Sequence, residues 1–242
     1  MTGTATGRTQ VGSQTLARGL RALLMVVESS GGVTVQELAR ELGVHRSIAY
    51  RTLQTLADFG FVVHGENGAY HPGARLATLA DTYLPALREA ALPIMRETAD
   101  QIGCTVSLFV AEGNEAVAIV LVEPTTTSHH IAFKAGMRTP IDRGAAGYAI
   151  LSVNPPAEGE PEAIARARER GYAVSEGEIL VGAYAIAAPI PGTHPRACLN
   201  LITHRADQAK VAEEHIVQAA QRVSRALRPT PPDFPAGSGT VA

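Results

Sequence analysis

Residues 35–63 read VQELARELGVHRSIAYRTLQTLADFGFVV. Val35, Leu38, Ala39 and Leu42 fall at i, i+3, i+4 and i+7, the spacing of one buried helix face. Gly43 ends that helix, because glycine takes the left-handed turn without steric cost. Val44 is placed to pack into the corner. In the helix that follows, Ala49, Leu53 and Leu56 share a buried face. Ser47, Tyr50, Arg51 and Gln54 share the opposite one. A row of hydroxyl, phenol, guanidinium and amide groups is what reading base edges in a major groove requires. Gly60 stops the second helix.

The residues after it extend the motif. Phe61–His64 reads as a strand, and Gly65-Glu66-Asn67-Gly68 as a turn with the Asn-Gly pair favoured in hairpins. Ala69–His71 then reads as the returning strand. A lone helical pair is most often an ordinary corner. Helix, turn, helix and hairpin within forty residues instead point to a winged helix-turn-helix with the second helix as reader. Upstream, Gln14 to about Ser29 reads as a support helix with Leu16, Leu20, Leu23, Leu24 and Val27 on its inward face. Pro72 closes the hairpin.

The N-terminal part resembles the IclR-type transcriptional regulators. The resemblance is carried by Glu37-Leu38-Ala39, Leu42-Gly43-Val44, Ser47-Ile48-Ala49-Tyr50-Arg51, Leu53, Leu56, Gly60-Phe61-Val62 and Tyr70. Tyr50 stands where the family pattern has histidine.

From Ala74 a helical pattern runs through Leu76, Ala80, Tyr83 and Leu84. Pro85 interrupts it, and it resumes with Leu87, Ala91, Ile94, Met95, Thr98 and Ile102. Pro93 either kinks this second piece or resets its start. The resemblance implies that residues 74–102 link two domains and contribute to dimerisation. From Gly103 the apolar period becomes two. Strands are expected over 105–110, 116–122, 128–134, 172–175, 184–189 and 197–203, and helices over 144–152, 160–171 and 207–227, with residues 136–142 as loop. This is an α+β arrangement: a winged domain at 14–73, the linker, and an antiparallel-sheet domain at 103–228. The segments 1–13 and 229–242 read as disordered. The second half agrees with the GAF-like effector domain of IclR-type proteins at Gly136, Pro140, Gly144-Ala145-Ala146-Gly147, Arg170-Gly171-Tyr172-Ala173, Glu178, Gly182 and Ile186–Ile190. The likeness covers roughly residues 14–228. The segment between Leu151 and Ile164 is shorter than usual, and Ala185 replaces a residue that is often cysteine.

Composition bounds the function. The formal net charge is −2, with 18 % charged and 45 % hydrophobic residues. Residues 1–72 carry six arginines against five acids, a net +1. Phosphate affinity per subunit is therefore expected to be modest, and binding to rely on two subunits at once. No apolar run spans a bilayer, and the polar N-terminus has no secretion signal. Cys104 and Cys198 lie 94 positions apart with no C-x-x-C, so neither a disulfide framework nor a zinc site is expected, and the expected compartment is the cytoplasm. No nucleophile-elbow, phosphate-loop or dinucleotide motif is present. The eight histidines make no metal-type spacing; His129 and His130 are neighbours on a strand and point to opposite faces. No cofactor, metal or catalytic residue is expected.

Gly144-Ala145-Ala146-Gly147 opens a helix with almost no side chain. That either lets an anion reach the partnerless first amides or lets the helix pack close to the sheet. The resemblance favours the first, since it implies that an effector acid binds at Ala145 and Ala146. It further implies Ile131, Thr139, Ser175, Ala183, Ala185, Asn200 and Ile202 as lining. Strand parity adds Phe133 beside Ile131 and Cys198 beside Asn200. Such a mixture suits a small, partly hydrophobic acid, for example an aromatic carboxylate. On this reading Ser47, Tyr50, Arg51 and Gln54 face bases of a double-stranded operator, and Arg46, His45, His64 and Asn67 hold phosphates. The resemblance implies homodimers that pair into tetramers; family members are both released from DNA and strengthened on it by effectors, and a repressor is expected here over an activator. The alternative is a small-molecule or thiol-redox enzyme using Cys198, or Cys104, as nucleophile, with Arg196 favouring the thiolate of Cys198.

Overall fold

A computed structural model describes residues 12–127 and 135–228. The expected strand 128–134, with His129, His130, Ile131 and Phe133, lies outside the described residues, as do 1–11 and the tail from 229. The chain divides into two compact units between Tyr83 and Leu84.

The first unit holds α1 (Gln14–Glu28), α2 (Val35–Leu42), α3 (Arg46–Asp58), β1 (Val62–His64), β2 (Tyr70–Pro72) and α4 (Arg75–Asp81). β1 and β2 pair antiparallel, and Val33 bridges to Tyr70. The core is Ala22, Val26, Val33, Leu38, Ala49, Leu53, Val62 and Tyr70. This corrects the sequence reading of α1. Leu16, Leu20, Leu24 and Val27 are 62, 52, 58 and 46 % exposed, and Ala22 and Val26 make the inward contact instead. The larger side chains form the more prominent pattern, but the two smaller ones, at i and i+4, share the face that enters the core. Nor does α4 bury any residue, so Leu76 and Ala80 are no core face there, and Tyr83, which follows the helix, is exposed.

The second unit opens with α5 (Pro85–Ile102). Pro85 is its first residue, a position where the missing amide costs nothing. The helix runs on through Pro93, which is exposed. Then come β3 (Thr105–Glu112), β4 (Glu115–Val122), β5 (Arg138–Pro140), α6 (Gly144–Ser152), α7 (Glu162–Arg170), β6 (Ala173–Glu176), β7 (Tyr184–Ile190), β8 (Ala197–Thr203) and α8 (Ala206–Ala226). β5 was read as loop; its three residues pair with Glu115–Val117 of β4, and Arg138 holds Glu112 and Glu115 at 2.8 and 2.7 Å.

The six strands form one antiparallel sheet in the order β5-β4-β3-β8-β7-β6. Alternation sends Val106, Leu108, Val110, Leu199 and Leu201 to one face, against α5 and α8. Phe109, Ala187 and Cys198 go to the other, against α6 and α7. No described helix is long and apolar enough to cross a membrane.

Candidate functional site

α2 and α3 are each capped at their start, and a glycine makes the turn between them. Thr34 and Glu37 form a reciprocal capping box on α2: the Thr34 amide donates to Glu37 Oε2 at 2.8 Å, and the Glu37 amide to Thr34 Oγ1 at 3.2 Å. The Thr-x-x-Glu spacing was legible and was missed. Gly43 turns the chain at φ +61°. His45 caps α3, its Nδ1 accepting from the Ser47 amide at 3.3 Å. Ser47, Tyr50, Arg51 and Gln54 are all exposed on one face. The Arg46 and Arg51 guanidinium groups are exposed and make no hydrogen bond or ion pair among the described residues. Two of the expected readers are engaged locally. The Ser47 hydroxyl lies 2.9 Å from His45 Nδ1, and the Gln54 amide donates to Asp58 Oδ1 at 2.9 Å. In the wing, Asn67 Oδ1 accepts from the Ala69 amide at 3.1 Å, so this side chain shapes the turn. The exposed His64 ring packs edge-on against Tyr70.

In the second unit a cavity of about 30 Å³ lies between the sheet and the start of α6. Thr139, Ala145, Ala146, Ser175, Ala185, Asn200 and Ile202 line it, as do Phe109, Met137, Arg143, Gly144 and Ile179, which the sequence reading did not include. Arg143, immediately before the small-residue helix, is the one of these whose position carried a legible charge signal. Ala183 and Cys198 are buried nearby but do not line the cavity. Ala183 ends the turn after β6, its carbonyl accepting from Gly177. Cys198 shares the face of Asn200 but sits beneath Ala146, its thiol 3.5 Å from that carbonyl.

The first amides of α6 are met from within the chain. Gly144 N–H donates to Glu178 Oε2 at 3.0 Å and Ala145 N–H to Ser175 Oγ at 2.9 Å. Tyr148 O–H donates to the same Glu178 oxygen at 2.7 Å. Burial, and next the Glu178 carboxylate, push the Tyr148 phenol up to about 12, so it stays a donor. The close-packing reading of the small residues holds at Gly147. A Cβ at Gly147 would come within 2.2 Å of the Ile141 carbonyl, so close packing requires that glycine. Asn200 donates to Ser107 Oγ at 3.2 Å, but its Oδ1, buried with the rest of the side chain, has no partner among the described residues.

Neither condition for a reactive thiol is met at Cys198. Burial drives its thiol far up, away from the thiolate. Arg196 turns to Asn154 Oδ1 at 2.6 Å rather than to the sulfur. Burial also raises the Cys104 thiol. No cluster able to hold a metal occurs among the described residues.

Residues 15–65 match the family model of the IclR helix-turn-helix domain, and residues 84–161 that of the bacterial transcriptional regulator IclR C-terminal domain. The acetate operon repressor of Salmonella typhimurium is 32 % identical over 143 residues, 57 % of this chain but only 52 % of that protein. The transcriptional repressor IclR of Escherichia coli is 26 % identical over 256 aligned positions, 94 % and 90 % of the two chains. The fold is that of the Thermotoga maritima IclR (TM-score 0.69, 23 % identity, covering 88 % of this chain and 98 % of that one). It is also that of an IclR homolog from Microbacterium hydrocarbonoxydans crystallised with 4-hydroxybenzoate (TM-score 0.73, 22 % identity, 88 % and 99 %).

Proposed function

Since the chain belongs to the IclR family of bacterial transcriptional regulators, we propose that it is a cytoplasmic, sequence-specific repressor whose operator binding is tuned by a small organic acid. The carrying observation is the exposed row Ser47, Tyr50, Arg51 and Gln54 on a helix capped at its start by His45. Arg51 and Tyr50 read base edges. Ser47 and Gln54 join them by exchanging their bonds to His45 and Asp58 for bonds to bases. Arg46, His45 and His64 meet phosphates, and Asn67 sets the wing's turn. The parts divide as residues 14–73 for DNA, 74–102 for linkage and assembly, and 103–228 for the effector.

A single recognition helix reads too few bases for selectivity, so the repressor acts as a homodimer on paired half-sites. The α1 stripe of Leu16, Leu20, Leu24 and Val27 supports this. Full burial of each such side chain contributes roughly 1.5–3 kcal/mol. Pairing of dimers into tetramers extends the same scheme.

The effector enters the cavity beside α6. Arg143 and the helix start attract its carboxylate, and Phe109, Met137 and Ile202 take its apolar part. The 4-hydroxybenzoate bound by the Microbacterium homolog supports an aromatic acid as effector here. Titrating aromatic and aliphatic acids into the complex with DNA from upstream of the chain's own gene tests this. Release of the DNA by one acid class is expected. A complex indifferent to every acid contradicts it.

A further inference from the structure

Ile179, which lines the cavity, sits on a segment, residues 177–182, that buries none of its side chains in the core. Gly177 and Gly182 have φ of +67° and +72°, and the Gly177 amide donates to the Ala183 carbonyl at 2.9 Å, so the segment is a short loop closed at its base. Between the glycines, Ile179, Leu180 and Val181 are 39, 37 and 89 % exposed. His204 Nδ1 lies 2.9 Å from the Gly182 carbonyl at the base of the loop, and the hold toward α6 comes from two residues. Glu178 accepts from Gly144 N–H and Tyr148 O–H, and its own carbonyl accepts from Arg143 Nη2 at 3.0 Å. Ile179 lies directly over Gly144, where an added Cβ would come within 2.7 Å of it.

We infer that this loop is a lid latched by Glu178, and that Glu178 stands in for the effector's carboxylate, which opens the lid by taking over the Gly144 amide and the Tyr148 hydroxyl. This rests on the reading of the cavity as the effector site. At about 30 Å³ the cavity has roughly one water's share of liquid volume, far below the roughly 300–1,000 Å³ of organic-ligand pockets. An acid therefore enters only when the wall parts, and a segment with few buried apolar contacts parts at least cost. A second feature points to a guest. Asn200 is 4 % exposed and lines the same cavity, and its partnerless Oδ1 calls for a donor. Exchange of one carboxylate for another preserves both hydrogen bonds at α6, whereas a neutral guest forfeits the charge that the helix start favours. The tether gives Glu178 an effective concentration on the millimolar scale. A bare small anion loses that competition. An acid with an apolar body and a donor for Asn200 wins it.

Hydrogen–deuterium exchange on the full chain tests the latch without a known ligand. Glu178→Ala is expected to speed exchange in residues 177–183 and the first turn of α6 at least tenfold while β7 and β8 keep wild-type protection. Tyr148→Phe, which removes one of the two bonds, gives a smaller rise in the same segments. Binding supplies the second readout: 4-hydroxybenzoate should bind Glu178→Ala at least fivefold tighter than wild type, and 4-hydroxybenzamide should gain nothing. Unchanged exchange at 177–183 in both variants, or loss spreading through β7 and β8, overturns the lid. Equal 4-hydroxybenzoate affinity in wild type and Glu178→Ala overturns the stand-in role and leaves the effector site intact. Localised faster exchange with no binding of 4-hydroxybenzoate to either form supports the lid and counts against the aromatic-acid reading instead.

Discussion

His45 Nδ1 accepts from the backbone amide of Ser47 at 3.3 Å and lies 2.9 Å from the hydroxyl of the same residue. With Nδ1 an acceptor, the ring proton sits on Nε2, at the exposed start of α3. One side chain thus caps the helix and offers a donor for phosphate. His45→Asn should keep the cap and weaken DNA binding. His45→Ala should do both harms, costing about 1 kcal/mol of stability as a lost cap does. Thermal melts beside anisotropy titrations separate the two. Equal DNA affinity for wild type and His45→Asn would remove the phosphate role.

Asn200 offers a test of whether a buried polar group serves a guest. Its unpaired Oδ1 costs stability, typically about 1–3 kcal/mol for such a group. Asn200→Leu should therefore leave stability unchanged or raise it, while abolishing the response of the DNA complex to acids. A strongly destabilised Asn200→Leu protein would mean that the amide is structural.

The exposed α1 stripe predicts a split between stability and binding. Leu20→Glu with Leu24→Glu alters only side chains that are half or more exposed. Folding stability should change little, whereas operator affinity should fall by at least tenfold as paired reading is lost. Wild-type operator affinity in the double variant would place the dimer contact elsewhere.

Titration should show at both ends of the pH range. Hydrogen bonds, from Thr34 to Glu37, from Arg222 to Glu97 and from Arg168 to Glu160, hold these three carboxyls below their ordinary value. A lowered folded pKa gives stability that is present above the unfolded pKa of 4.5 and is lost as pH falls through the folded one. Acid unfolding should begin below that value and be less steep in Glu97→Gln. Tyr148 has the opposite sign. Its pKa is raised from 10 to about 12, so its contribution holds below pH 10 and is lost on rising through about 12. The Tyr70, Tyr172 and Tyr184 phenols are also raised, so tyrosinate absorbance should show a group of late-titrating phenols from which Tyr148→Phe removes one. A Tyr148→Phe curve identical to wild type would contradict this.

The winged motif was legible because its signals are local: a glycine at the turn, an Asn-Gly hairpin and two apolar periods in a short span. The strand faces were legible too, since parity fixes them; Asn200 and Ile202 do line one cavity. The sequence reading failed where tertiary contacts choose among local possibilities. Leu16, Leu20 and Leu24 make an inward face on paper, but nothing in the helix itself says that the Ala22–Val26 side meets α3. The latch was hidden for the same reason. Glu178 lies thirty-four positions from Gly144 (178 − 144), and no period links a turn after one strand to the start of a helix. Three-residue β5 was too short for any pattern.

The most direct test of the central claim is the affinity of wild type and Arg51→Ala for DNA from upstream of the chain's own gene. It should be followed by fluorescence anisotropy over a salt series against an unrelated duplex. The account predicts tight, selective binding by wild type and a loss of about 1–3 kcal/mol in Arg51→Ala that flattens the preference for the specific site. Equal binding of both duplexes, unaltered by Arg51→Ala, would contradict it.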